Sequence, residues 1–202
     1  MPASTLPITD LGIANLAFID LGQPTLAVAD STSKAGRLFL TSYEPTVLEM
    51  LRSHPWRCCR AQAQLASDPT AKPLFGYALA FRLPADFVRT VYVEGTNDGD
   101  VSNNIEPFAR HGQYIHCNIE GFRFTYIARK PTDEFDPGLV ATIAARLAWR
   151  WCKPFTDSAN DVKMYQQAFA EISADAKFAD AMDGSPDIMP LSTWEQARLS
   201  DV

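Results

Sequence analysis

The sequence predicts a mainly α fold of the α+β kind: an antiparallel helical bundle with a small inserted antiparallel β subdomain and an extended C-terminal tail. Three observations carry this expectation. Apolar residues recur at spacings of three and four in segments toward both ends of the chain. Alternating apolar residues and turn signals fill the middle. A Gly184-Ser185-Pro186 break closes the last helical pattern and leaves a short tail. The implied division is a helical bundle from residues 1–66 and 131–184, a β-rich insertion at 67–130 and a docking tail at 185–202.

The elements follow in order. Thr9 or Asp10 caps a first helix, whose apolar surface is Leu11, Ile13, Ala14, Leu16, Ala17 and Phe18. Gly22 before Gln23-Pro24 stops it, because glycine tolerates a left-handed cap and proline cannot extend a helix. A second helix is expected over about Ser33 to Ser53, with Leu40, Tyr43, Val47 and Leu51 on one face. Pro45 lacks a backbone donor and is expected to kink or split it. Residues 57–90 read as a short helix or irregular stretch and then a linking loop. Within it, Phe75, Tyr77, Leu79 and Phe81 alternate as an extended segment. Val88, Val91, Tyr92 and Val93 are strand-like.

From about Ile105 to Lys130 the chain predicts a small antiparallel sheet, with turns at His111-Gly112-Gln113 and around Asn118 to Gly121. A third helix opens on Asp136 with Pro137 at its favoured first position, and Lys153-Pro154 closes it. Asp157 or Ser158 starts the last helix. Val162, Tyr165, Phe169, Ile172, Ala176 and Ala179 form its expected seam, and the short connection implies an antiparallel pair. The tail carries Ile188, Met189, Leu191 and Trp194, apolar residues that require a docking surface.

Composition narrows the function classes. The chain has 202 residues, 47% hydrophobic and 21% charged, with a formal net charge of −6. That is a globular composition, not a disordered one. A pI near 5.0 argues against gripping a phosphate backbone, which needs a basic face. The charge is uneven: residues 131–202 hold six Lys/Arg and twelve Asp/Glu, while residues 57–130 hold nine and seven. The N-terminus shows no basic, apolar secretory pattern, and no run reaches the length of a membrane span, so the expectation is a soluble chain. The four cysteines, Cys58, Cys59, Cys117 and Cys152, lack disulfide-scaffold spacing and are expected to be reduced.

A search for catalytic chemistry finds little. Dinucleotide, phosphate-loop, nucleophile-elbow and zinc-helix motifs are absent from the sequence. His54, Cys58, Cys59, His111, His116 and Cys117 are residue types that bind zinc, but they lack paired-ligand spacing. His54 with Cys58 would make a nucleophile–base pair only on a continuous helix, which Pro55 disfavours. The acids Asp133, Glu134 and Asp136 suit a helix N-terminus. No catalytic residue, metal site or cofactor is assigned.

The order of local motifs resembles one family throughout nearly the whole chain. The residues are Thr9 to Gln23 in the opening helix; Ser33-Lys34-Ala35 before the second; His54-Pro55-Trp56 at its end; and Phe81-Arg82-Leu83-Pro84-Ala85-Asp86. They continue with Tyr126-Ile127-Ala128-Arg129, Phe135-Asp136-Pro137, Gly184-Ser185-Pro186 and Trp194. This series resembles the phage tail tubular protein A family, the head-to-tail adaptors (connectors) of short-tailed phages. The resemblance implies a structural virion protein and not an enzyme. It would form a homo-oligomeric, dodecameric ring in the tail neck, assembled in the host cytoplasm and away from any membrane.

The implied partners are the portal protein, the tail nozzle protein and further copies of the chain. The ring would extend the channel used in DNA ejection, with DNA passing without specific binding along an acidic wall. Asp187, Ile188, Met189, Leu191 and Trp194 would dock on the portal or a neighbour. The alternative is a virion-associated cell-wall hydrolase using paired carboxylates.

Overall fold

A computed structural model describes residues 8–71, 73, 75–93, 108–156 and 158–184. Among them lie four α-helices: α1 (Asp10–Asp20), α2 (Lys34–Ser53), α3 (Pro137–Phe155) and α4 (Ala159–Met182). Six strands accompany them: β1 (Arg60–Leu65), β2 (Leu79–Arg82), β3 (Phe87–Val93), β4 (Ala109–His111), β5 (Tyr114–Cys117) and β6 (Phe122–Ala128).

The strands correct the expected fold class. They form two antiparallel three-stranded sheets, of order β1-β6-β3 and β2-β5-β4, so the chain is not a helical bundle with a small inserted subdomain. The expectation of one sheet at 105–130 failed because β6 pairs with β1 and β3, while β5 pairs with β2 and β4. Strand β1 was hidden by its composition. Ala61, Ala63 and Leu65 alternate with the exposed Gln62 and Gln64, a period-two pattern written in small residues.

Of the described residues, those within Met1–Ala61, Asp86–Arg89 and Tyr126–Asp183 form one compact unit. Those within Gln62–Ala85, Thr90–Thr125 and Gly184–Val202 form a second.

In the first unit the helix starts follow the capping chemistry of the sequence. Thr9 Oγ1 accepts from Gly12 N at 3.0 Å, and Ser33 Oγ accepts from Gly36 N at 3.0 Å. Gly36 is required there, since a Cβ would stand 1.9 Å from the Asp30 carbonyl oxygen. Asp30 Oδ1 accepts from Thr32 N at 2.8 Å and Ser33 N at 2.7 Å. Those donors, with the Thr32 hydroxyl, hold its carboxyl down to about 2.

Of the expected kink or split at Pro45 the split does not occur, since helix α2 runs as one element from Lys34 to Ser53. Pro45 and Thr41, whose carbonyl loses its donor, are both exposed residues, while Tyr43, Val47, Met50 and Leu51 stay buried. Helix α3 ends at Phe155, one residue past Pro154. It supplies the heart of this core: Leu139, Ile143, Leu147 and Trp151 are fully buried. Trp151 stacks on Phe18 at 4.6 Å and donates its indole N–H to Ser42 Oγ at 2.7 Å.

In the second unit β5 is central. Leu79 to Arg82 of β2 pair with Cys117 to Tyr114, and Ala109 to His111 of β4 pair with His116 to Tyr114. Gly112, at φ +60°, supplies the left-handed residue of the β4–β5 turn. Phe81, Phe122, Phe124 and Ile115 make its core.

Candidate functional site

Helix α4 presents the feature most suggestive of function. It lies antiparallel to α3: Gly138 near the start of α3 meets Ala176 near the end of α4, and Trp149 stacks on Phe169 at 5.7 Å. A Cβ at Gly138 would stand 3.3 Å from the Ala176 Cβ, so the glycine permits this close approach. Arg146 covers the stack, its guanidinium 4.3 Å from the Trp149 ring and 5.6 Å from that of Phe169.

The seam of α4 differs from the predicted one. Val162, Tyr165, Phe169 and Ala176 lie on the inward face, but Ser173 and Asp180 take the positions expected for Ile172 and Ala179. The buried Asp180 has a defined role. Its carboxylate accepts from Arg57 N at 2.8 Å and pairs with His54 Nε2 at 2.9 Å. Arg57 Nε donates to the Asp180 backbone carbonyl at 2.9 Å. These bonds clasp the end of α4 to the turn after α2. A polar residue is buried there because its acceptors are satisfied.

The opposite side of α4 is also apolar and is exposed. Met164 is 57% exposed, Ile172 37%, Phe178 70% and Met182 70%. Met164 and Met182 are 18 residues apart, five whole helical turns, so they point the same way across about 27 Å. Ala168 and Ala179 fall within the same stripe, interrupted by Glu171 and Asp175. A second, interrupted apolar face was therefore legible in the sequence, at Met164, Ala168, Ile172, Phe178 and Met182. The single-seam reading absorbed Ile172 and Ala179 and passed over Phe178 and Met182. Leu16 and Ile19 on α1, and Leu40 and Leu48 on α2, are further exposed apolar residues.

The predicted docking residues Asp187, Ile188, Met189, Leu191 and Trp194 lie outside the described residues. The zinc candidates have other partners. His54 pairs with Asp180, Cys58 Sγ lies 3.7 Å from Cys59 Sγ, His111 stacks on His116 at 4.9 Å, and Cys117 donates to the Ile119 carbonyl. Among the described residues no group of three or more His, Cys, Asp or Glu is placed to hold a metal ion. No helix among them is long and apolar enough to cross a membrane.

The main charged clusters tie elements together. Arg129 makes a bidentate pair with Glu44, both distances 2.9 Å, and lies 3.9 Å from Asp10. Asp10 also accepts from Thr132 Oγ1 and from Tyr43 OH. Burial, with the Asp10 charge second, pushes the Tyr43 phenol well above its ordinary value. Glu49 of α2 joins Arg146 at 2.8 Å and Arg150 at 3.0 Å. Asp136 caps α3 as expected, although its carboxylate makes no capping hydrogen bond, and Glu134 pairs with Lys130 at 2.8 Å.

No protein-family model matches the chain, and no curated protein matches it.

Proposed function

We propose that the chain is a structural head-to-tail adaptor of a short-tailed phage, assembling as a ring between portal and tail nozzle. The observation that carries this reading is the doubled face of α4. One stripe packs inward, and the other carries the exposed Met164, Ile172, Phe178 and Met182, interrupted by Glu171 and Asp175. A soluble subunit gains nothing in its own fold from that second stripe, whereas a partner that covers it gains buried area. A ring built by a head-to-tail contact needs two unlike surfaces on each subunit. The α4 stripe serves as one. The exposed apolar residues of α1 and α2 supply candidates for the other.

The ordered motifs of the sequence support the same reading. Thr9 and Ser33 are helix caps, the turn after His54-Pro55-Trp56 clasps α4, and Arg129 anchors Glu44. These are structural roles, as expected of a scaffold. In this account a neighbouring copy covers the α4 stripe and the segment Asp187 to Trp194 docks on the portal. The acidic C-terminal third suits a channel through which DNA passes without sticking, because phosphates are repelled.

The test is electron microscopy of the chain mixed with the portal of its own phage. Closed rings stacked on the portal support the proposal; portal particles left bare oppose it. Deleting residues 186–202 is expected to abolish portal binding, and a truncated chain that still binds would remove the tail from the account.

A further inference from the structure

We propose that a second copy of the chain seats its Arg52–Arg89 pair on the acid pair Glu171–Asp175 within the exposed stripe of α4. The inference rests on the reading that a neighbouring copy covers that stripe, and it names the surface that does so. Two like-charge pairs carry it, and neither has a counter-charge among the described residues of its own subunit.

The basic pair is built where the end of α2 meets β3. Arg52 Nη1 donates to the Val88 carbonyl at 3.0 Å, and Arg89 Nη1 donates to the Arg52 carbonyl at 2.9 Å. Each guanidinium is thus tied to the other's stretch of backbone, through a neutral acceptor. A guanidinium carries five N–H donors, so most of each fork stays open to a planar anion. Arg129, Arg146 and Arg150, by contrast, already hold Glu44 and Glu49 within the subunit. Arg52 is exposed, and Leu48, one turn earlier on α2, adds exposed apolar surface beside it.

The acid pair has the matching form. Glu171 and Asp175 are both exposed and four residues apart on α4, so they stand side by side about 6 Å along the helix. Glu171 accepts from Gln167 Nε2 at 2.9 Å, a neutral donor. Ile172 and Phe178 flank the acids with exposed apolar surface.

Like charges held this close repel, so each pair is a small liability in an isolated subunit. A contact between copies relieves both at once. Guanidinium–carboxylate forks are directional, so they fix the orientation and register of the contact, while the apolar flanks supply the buried area. The two pairs lie on different elements of one subunit. The contact is therefore heterologous, and each copy uses its basic pair on one neighbour and its acid pair on the other.

The experiment follows association of the full chain, alone and mixed with the phage's portal, by sedimentation velocity and electron microscopy. Circular dichroism checks that each variant is folded. The parent is expected to associate. Glu171→Arg with Asp175→Arg is expected to weaken association at least about tenfold. That loss runs against the general charge effect, because the change brings the chain's −6 closer to zero and lowers repulsion between copies. Both positions are exposed, so this variant carries the test even if Arg52→Glu with Arg89→Glu fails to fold. Combining all four substitutions returns the net charge to −6 and is expected to restore association to within about threefold of the parent. An acid-reversed chain that associates as well as the parent, or a folded fourfold variant no better than the acid-reversed one, overturns the pairing and leaves the adaptor reading standing. Charge-dependent association beside a bare portal supports the pairing and contradicts the adaptor. Parent copies that never associate contradict both.

Discussion

Helices α3 and α4 pack against each other yet use their side chains in opposite ways. Helix α3 is buried almost all round: Leu139, Ile143, Leu147, Trp151 and Cys152 have no exposed surface. Helix α4 is longer, at 24 residues against 19, but its fully inward positions are Ser173, Ala176 and Asp180. Of its large apolar residues, Val162, Tyr165 and Phe169 turn inward but are only half-buried, while Met164, Phe178 and Met182 face out. Fully burying a large apolar side chain contributes about 1.5–3 kcal/mol, and α3 collects more of that contribution within the subunit than α4 does. The contrast separates residues kept for folding from residues available for assembly.

The largest effect that sharpens this contrast is on α3. Trp151→Ala removes the stack on Phe18 and the bond to Ser42, and is expected to cost about 3–5 kcal/mol in denaturant unfolding. Next comes the polar clasp of α4. Asp180→Ala leaves the Arg57 amide and His54 without their acceptor and is expected to cost about 1.5–3 kcal/mol, with Asp180→Asn milder because it keeps one acceptor. Gly138→Val forces a branched side chain against Ala176, with an expected loss of about 1–3 kcal/mol. Glu49→Ala removes two partly exposed ion pairs between α2 and α3 and is expected to cost no more than about 1 kcal/mol in the same assay.

The smallest stability effect belongs to the outer stripe. The double variant Phe178→Ser with Met182→Ser is expected to unfold within about 0.5 kcal/mol of the parent. A large destabilisation there would break the comparison, because it would make the stripe part of the subunit's own core.

Much of the helical framework was legible in the sequence. Thr9, Ser33, Pro137 and Ser158 mark their helix starts because capping is local chemistry, readable from a few neighbouring residues. What failed was non-local. Which strand pairs with which is decided by tertiary packing, so one predicted sheet proved to be two, and the Ala-Gln alternation of β1 passed as irregular. The α4 seam failed for another reason. Two apolar stripes on one helix give overlapping patterns, and nothing local says which stripe faces inward. Asp180 could not be seen as a core residue from the sequence, because its burial depends on the Arg57 amide and His54, more than a hundred residues away.

The most direct test of the account is electron microscopy of the parent chain and the Phe178→Ser, Met182→Ser double variant, each mixed with the phage's own portal. The account predicts closed rings on the portal for the parent and none for the equally stable variant. Rings formed equally well by both would contradict the assignment of the α4 stripe to assembly, and bare portals with the parent would contradict the adaptor function itself.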